Sequence, residues 1–190
     1  MRILVAYASQ HGATREIAER IAERLRLAGL SVEARPAAHA GDLAEFDAFV
    51  IGGAAYIGRW LKDATELVAA NAGLLAGRPT WLFSSGPLGT EPVDAEGHDQ
   101  RESAQPKEFP GFRESIHPRA TRVFFGALDP ARLGLRDRAI RALPAGRALL
   151  PEGDFRDWSE IEAWADGIAV ELAAAAAGNR PDRSTGVERV

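Results

Sequence analysis

Between an apolar run, Ile3 to Tyr7, and an amphipathic segment, Arg15 to Ala28, stand Ser9-Gln10-His11-Gly12-Ala13-Thr14. A strand, a short loop of small and hydroxyl residues, then a helix leaves several backbone N–H groups unpaired at the helix N-terminus. The helix dipole favours an anion at the same place. Ser9 and Thr14 can add hydroxyl donors, and Gly12 lets backbone approach a ligand with no side chain in the way. The residue three before Glu16 is Ala13, which cannot cap, so no capping box claims these donors. The chemistry expected of the loop is phosphate binding. A plain strand-to-helix turn uses the same residue types, and neither the P-loop nor the Gly-x-Gly-x-x-Gly pattern is present.

Two further loops follow strand-like runs. In Gly52-Gly53-Ala54-Ala55-Tyr56-Ile57-Gly58-Arg59 the small residues let backbone pass close to a flat ring, on which Tyr56 can stack. Trp60 is expected to pack against the next helix. Ser84-Ser85-Gly86-Pro87-Leu88-Gly89 can present backbone donors and acceptors, and no Gly-x-Ser-x-Gly elbow makes its serines nucleophiles. His11, His39, His98 and His117 are too scattered for a metal motif, and no metal site is expected. With no cysteine, thiolate and iron–sulfur chemistry are excluded. Redox chemistry would have to come from a bound cofactor.

The elements that must hold these loops alternate in type. Ile3 to Tyr7, Ser31 to Arg35, Ala48 to Ile51, Thr80 to Phe83 and Thr121 to Phe125 read as strands, the first continuously apolar, as a strand covered on both faces should be. Ile17, Ile21 and Leu25 recur four apart on the first helix, which ends at Gly29. Trp60 to Ala72 reads as a helix. Asp157 can cap a last helix, with Glu160 three residues on and Ile161, Trp164, Ile168 and Leu172 as its buried stripe. Five strands separated mostly by helices predict an α/β fold with an open, doubly wound, mainly parallel sheet. Ligands in such sheets sit beyond the carboxyl ends of the strands, where the three loops lie. Thr90 to Gly111 and Asp129 to Asp157 read as excursions beyond the sheet. Residues 1–176 are expected to form the domain and 177–190 a flexible tail.

Over 190 residues, 46% hydrophobic and 26% charged residues suit one globular domain. A net charge of -4 offers no overall basic field for nucleic acid, so no nucleic-acid partner is expected. The N-terminus lacks secretory-signal character, and a cytoplasmic location is expected.

The first loop resembles the flavodoxin family pattern Thr/Ser-x-Thr-Gly-x-Thr: Ser9, Gly12 and Thr14 match, and His11 replaces the usual hydroxyl residue. The resemblance implies a five-stranded flavodoxin-like sheet in the order 2-1-3-4-5. It also implies FMN as cofactor: Ser9, Gln10, His11, Gly12, Ala13 and Thr14 would hold its phosphate. Ala54, Ala55, Tyr56, Ile57 and Gly58 would lie against the isoalloxazine near N5, and Ser84, Ser85, Gly86, Pro87, Leu88 and Gly89 against its pyrimidine edge.

Arg15-Glu16-Ile17-Ala18, the run from Pro106 through Phe109 and Ile116, Phe125-Gly126-Ala127-Leu128 and Gly153-Asp154-Phe155-Arg156-Asp157-Trp158 resemble the menaquinone-dependent protoporphyrinogen dehydrogenases. These are flavodoxin-like enzymes of haem synthesis. That resemblance implies an oxidoreductase passing electrons from a reduced organic substrate, a porphyrinogen in that family, through FMN to a quinone. No side chain is singled out as a catalytic acid or base. Asp129 to Leu150 departs from that family in being shorter and free of aromatic residues. It keeps a basic character in Arg132, Arg136, Arg138, Arg141 and Arg147, which can meet propionates or lipid phosphates in peripheral contact with the inner face of the cell membrane. A flavodoxin-type electron carrier and an NAD(P)H:quinone reductase are the alternatives.

Overall fold

The computed structural model describes residues 1–89, 91, 93 and 97–178. Its strands are β1 (Arg2–Ala8), β2 (Ser31–Pro36), β3 (Ala48–Tyr56), β4 (Arg59–Trp60), β5 (Thr80–Ser85), β6 (Ala120–Phe124), β7 (Ala127–Leu128) and β8 (Gly153–Asp154). Its helices are α1 (Ala13–Leu27), α2 (Lys62–Ala70), α3 (Ala72–Ala76), α4 (Gln100–Ser103), α5 (Phe109–Ile116), α6 (Leu135–Arg141), α7 (Pro144–Leu149) and α8 (Trp158–Gly178). The expected tail lies outside the described residues from 179 onward.

Apolar side chains that alternate along each strand sort onto the two faces of the sheet. Ile3 and Val5 of β1, Val50 of β3, Trp81 and Phe83 of β5 and Phe124 of β6 pack on α1 and α8. Leu4 and Ala6, Phe49 and Ile51, and Leu82 point the other way, onto α2, α3 and α5. The parallel strands run β2-β1-β3-β5-β6, with short β4 antiparallel on the end of β3. Counting the parallel strands alone, this is the predicted order 2-1-3-4-5. The predicted stripes are buried: Ile17, Ile21 and Leu25 on α1, and Ile161, Ile168 and Leu172 on α8. Trp164 sits part-buried at the edge, with its ring 5.5 Å from that of Phe124. Each fully buried large side chain contributes about 1.5–3 kcal/mol relative to exposure.

Several boundaries differ from the sequence reading, each for a tertiary reason. β3 does not stop at Ile51. Gly52 and Gly53 pair with Tyr7 and Ala8 of β1, and Ala54 pairs with Ser85 of β5. The predicted loop 52–59 is therefore the last part of a central strand and a two-residue hairpin, Ile57-Gly58, in which both residues have positive φ, 52° and 69°. The helix expected from Trp60 starts at Lys62 because Trp60 is paired with Ala55. It breaks at Asn71, whose side chain bonds back to the Leu67 carbonyl at 2.8 Å. Ser84 and Ser85 belong to β5, not to the loop after it.

At the start of α8, Asp157 accepts from the Glu160 N–H at 3.0 Å as predicted. The reciprocal half of the capping box is absent. The Glu160 carboxylate instead receives Arg101 at 2.9 Å and Arg122 at 2.7 Å.

Close packing at Gly52 is a condition of the fold. A Cβ there would stand 1.9 Å from the Phe83 ring. Gly52→Ala is expected to destabilise the protein by about 2 kcal/mol or more, and a denaturant midpoint equal to the parent's would overturn this.

Candidate functional site

In this strand order the chain leaves β1 towards β2 on one side and returns to β3 on the other, so a crevice opens between the carboxyl ends of β1 and β3. A cavity of about 400 Å³ lies there, within the size range of small-molecule and cofactor sites. Ser9, Gln10, His11, Ala13 and Thr14 line it from the first loop, Ala54, Ala55, Tyr56 and Ile57 from the β3–β4 hairpin, and Ser85, Gly86 and Leu88 from the end of β5. Three segments far apart in sequence thus meet at one space. Gly12, Gly58, Ser84, Pro87 and Gly89 stand in the same segments without lining it. Ser84 is fully buried, and its hydroxyl has no partner among the described residues.

The first loop ends in a residue only glycine adopts easily. Gly12 has φ 96° and begins α1 with no side-chain cap. Its own N–H is not free, since it donates to Ser9 Oγ at 3.1 Å. Thr14 does not aim a free hydroxyl at a ligand either: Thr14 Oγ1 and Ser85 Oγ are 2.8 Å apart and both residues are buried, which ties the first loop to the end of β5. The remaining first-turn N–H groups of α1 keep the uncapped geometry that suits an anion.

Trp60 packs as expected. It is buried, its Nε1 donates to the Gly53 carbonyl at 3.0 Å, and its ring meets Phe109 edge-on at 5.2 Å. Tyr56 lines the cavity half-exposed, with its ring 6.3 Å from that of His11 at a steep angle. Burial, with the Asp137 carboxylate adding to it, pushes the Tyr56 phenol up to about 12. The ring therefore stays protonated through the physiological range and can donate a hydrogen bond into the cavity. A spectrophotometric titration should show a tyrosine ionising near pH 12 that disappears in Tyr56→Phe. Survival of that step in the variant would refute the assignment.

The other wall comes from residues that no local pattern marked as cavity lining. Gly126, Ala127, Leu128, Leu133, Asp137, Ile140 and Leu150 complete the lining. Leu133, Asp137, Ile140 and Leu150 belong to the predicted excursion Asp129 to Asp157, and Gly126, Ala127 and Leu128 lead into it from β6; the segment is a closed structure. β7 and β8 pair at its two ends, Ala127 with Asp154 and Leu128 with Gly153, and α6 and α7 lie between them. His11 fastens this cover to the first loop: Nδ1 is 3.1 Å from the Arg132 carbonyl and Nε2 is 3.2 Å from an Asp137 carboxylate oxygen. Both ring nitrogens thus meet oxygen atoms of the cover. The residue that departs from the family pattern is thus the one that holds the cover.

A second fastening sits under the loop. Glu16, in the first turn of α1, receives Arg132 at 2.7 Å and Arg156 at 2.8 Å. The Arg156 side chain is 7% exposed. It grips Asp154 through two hydrogen bonds of 2.7 and 2.6 Å, reaches the Ala13 carbonyl at 3.3 Å, and stacks 4.4 Å from the Trp158 ring. Burial opposes charge on Glu16, but the bonds from Arg132 and Arg156 outweigh it and hold its carboxyl below the usual range. The Asp154 carboxyl is held low by the Arg156 bonds. Two guanidinium groups thereby mask the carboxylate nearest the uncapped helix end, where a bare negative charge would repel a phosphate.

No helix among the described residues is long and apolar enough to cross a membrane, and no described group of His, Asp and Glu could hold a metal ion.

An open parallel sheet with an anion loop after β1 and a ring-sized cavity beyond β1, β3 and β5 defines a flavin-binding protein of the doubly wound α/β class. The family model described as flavodoxin domain matches residues 4–144, and the chain belongs to the flavodoxin family. The cofactor is accordingly FMN, and the uncapped helix end, the small residues Ala13, Ala54, Ala55 and Gly86 and the cavity volume fit it.

Similar solved structures bear out the fold. A flavodoxin variant from Pseudomonas aeruginosa aligns with a TM-score of 0.57 at 18% identity, over 91% of this chain and 99% of that one. The rubredoxin oxygen:oxidoreductase of Desulfovibrio gigas aligns with a TM-score of 0.58 at 14% identity, over 93% of this chain and 37% of that one. A flavodiiron core from Synechocystis gives 0.57 at 15% identity, over 92% and 36%. The chain therefore spans little more than a third of the two oxidoreductases and nearly the whole of the flavodoxin. No curated protein matches the sequence.

Proposed function

We propose that the protein is an FMN-dependent oxidoreductase that takes electrons from a reduced organic substrate and passes them to a quinone, as the protoporphyrinogen dehydrogenases do. The observation that supports this reading is the cover. Leu128, Leu133, Ile140 and Leu150 add an apolar wall over the three flavin-loop segments, a room suited to an organic ring beside the cofactor. When bound, FMN supplies the acceptor and donor for two electrons and a hydrogen, chemistry that no side chain of this chain provides.

The chain's own residues bind and orient. The first loop holds the phosphate, Ala54, Ala55 and Gly86 let backbone lie against the ring, and the leucines and isoleucine of the cover exclude water. A two-electron oxidation that removes a hydride also releases a proton. The Asp137 carboxylate, on the cavity wall with His11 Nε2 3.2 Å away, is placed to accept it.

Partial enclosure at a membrane surface would suit a lipid-soluble quinone, and Ile57, Leu135 and Leu143 are exposed apolar side chains that such a surface would cover. Near-complete coverage of a free-standing flavodoxin favours the carrier as second reading.

The decisive experiment is anaerobic: FMN-loaded protein is mixed with protoporphyrinogen, and the bleached flavin is then mixed with menadione. Bleaching followed by recovery supports the reading. Failure of both steps removes it, and rapid exchange with an iron–sulfur protein alone would establish the carrier.

A further inference from the structure

A second cavity, of about 370 Å³, opens on the far side of the cover, and three arginines border it: Arg138, Arg141 and Arg147. Glu152 is the one carboxylate among the described residues that line it. Arg141 is committed, donating to Glu152 at 3.0 Å and to the Leu150 carbonyl at 3.0 Å. Among the described residues Arg138 donates to the Ala131 carbonyl, at 2.8 Å, and Arg147 to the Arg141 carbonyl, at 3.4 Å. Neither has a carboxylate partner among the described residues. Three positive groups against one negative leave an excess of two charges around one cleft, in a chain whose net charge is -4. Guanidinium groups that line one cleft with too few counter-charges repel one another, and an oxyanion with two or three oxygens relieves that repulsion with charge-assisted hydrogen bonds.

The position of the cleft gives the anion a context. Leu133, 6% exposed, lines this cleft on one face and the flavin cavity on the other. Leu150 lines the flavin cavity while its carbonyl holds Arg141. Leu133 is thus shared by the two spaces, and a short side arm passing beside its side chain would carry an anionic group from a ring in the flavin cavity to the arginines.

We infer that Arg138, Arg141 and Arg147 form a binding site for an anionic group, a carboxylate, sulfonate or phosphate, carried by the organic molecule that exchanges electrons in the adjoining cavity. The inference rests on the proposed oxidoreductase reading for the identity of that molecule, and on the charge and shape of the cleft for the anion. It makes the site selective for acidic over neutral substrates of the same ring size.

Two naphthoquinones test this, neutral menadione and a naphthoquinone sulfonate, titrated calorimetrically into the full chain with and without FMN. The parent should bind the sulfonate about tenfold or more tightly than menadione, and the preference should shrink as salt is raised. Arg138→Ala with Arg147→Ala should abolish the preference while leaving menadione and FMN affinity unchanged, and the paired lysine replacements should restore part of it. A preference absent from the parent, or undiminished in the alanine pair, overturns the inference. A parallel titration with NADPH identifies the source: NADPH binding that weakens in the alanine pair assigns the anion to a nucleotide phosphate, and NADPH binding that is absent or unchanged assigns it to an acidic group on the substrate. Binding is read without turnover. Loss of the redox cycle with the preference intact therefore counts against the oxidoreductase reading alone, and loss of the preference with the cycle intact counts against the anion site alone.

Discussion

Gly12→Val should weaken FMN binding by about a hundredfold or more, close to 2.7 kcal/mol. Two costs add. A β-branched residue at φ 96° is strained by about 1–2 kcal/mol, and the added side chain meets Arg132 Nη1, which lies 3.0 Å from the position of a Cβ. Relief of either shifts the first turn of α1, where hydrogen bonds to a charged phosphate contribute about 1.5–3 kcal/mol each. Because the damage is confined to the phosphate end, riboflavin, which has the ring and no phosphate, should bind parent and variant nearly alike. The ratio of the two affinities, taken from fluorescence titrations, is the measurement. Equal losses for FMN and riboflavin would mean that Gly12 supports the fold of the cavity as a whole and that the phosphate lies elsewhere.

Arg156→Ala should cost about 2–3 kcal/mol of stability and also weaken FMN. The guanidinium is nearly enclosed, and its removal strands the Asp154 carboxylate, takes from Glu16 one of its two guanidinium partners and uncovers a face of Trp158 at once. The figure stays below that of a fully buried pair because the side chains of Glu16 and Asp154 are 30% and 47% exposed.

The pH dependence follows from the direction of the shifts. Both carboxyls titrate lower in the folded protein than in the unfolded chain. Their contribution is therefore complete above the unfolded carboxylate range, about pH 4, and is lost as pH falls through the lower folded values. The variant should show a smaller loss of stability on acidification than the parent. An identical acid limb in urea midpoints from neutral pH downward would show that Arg156 is not what holds these groups. The effect on FMN has a separate origin, the unmasking of Glu16 beside the phosphate loop, and should diminish at high salt.

These two positions differ in how visible they are beforehand. Gly12 sits in a local pattern, strand then small polar loop then helix, which the chain announces within a few residues. The same holds for Ile17, Ile21 and Leu25 on α1 and for the Asp157 cap of α8, where spacing alone fixes which side chains are buried. Tyr56 at the cavity and Trp60 in the core also follow from the order of small and aromatic residues after β3. Nothing local marks Arg156. Its partners lie 140 residues away at Glu16 and two residues away at Asp154, and only the pairing of β7 with β8 brings the three together.

The sequence by itself determined the parallel α/β class, the three loops beyond the strand ends and the phosphate-loop pattern. Each of these is written in periodicity or in a short motif, and burial of a periodic face leaves the backbone little choice. Tertiary structure alone decided that 52–56 continues a strand, since that depends on two neighbouring strands offering hydrogen bonds. It also decided that 127–154 folds back as a cover, since α6 and α7, at seven and six residues, are too short to show a period or to be stable unsupported. His11 belongs to both accounts. Its place in the loop was legible as a departure from the flavodoxin pattern, but its partner Asp137 stands 126 residues further along, a separation that no local pattern encodes and that only the closing of the chain over the cavity brings to 3.2 Å.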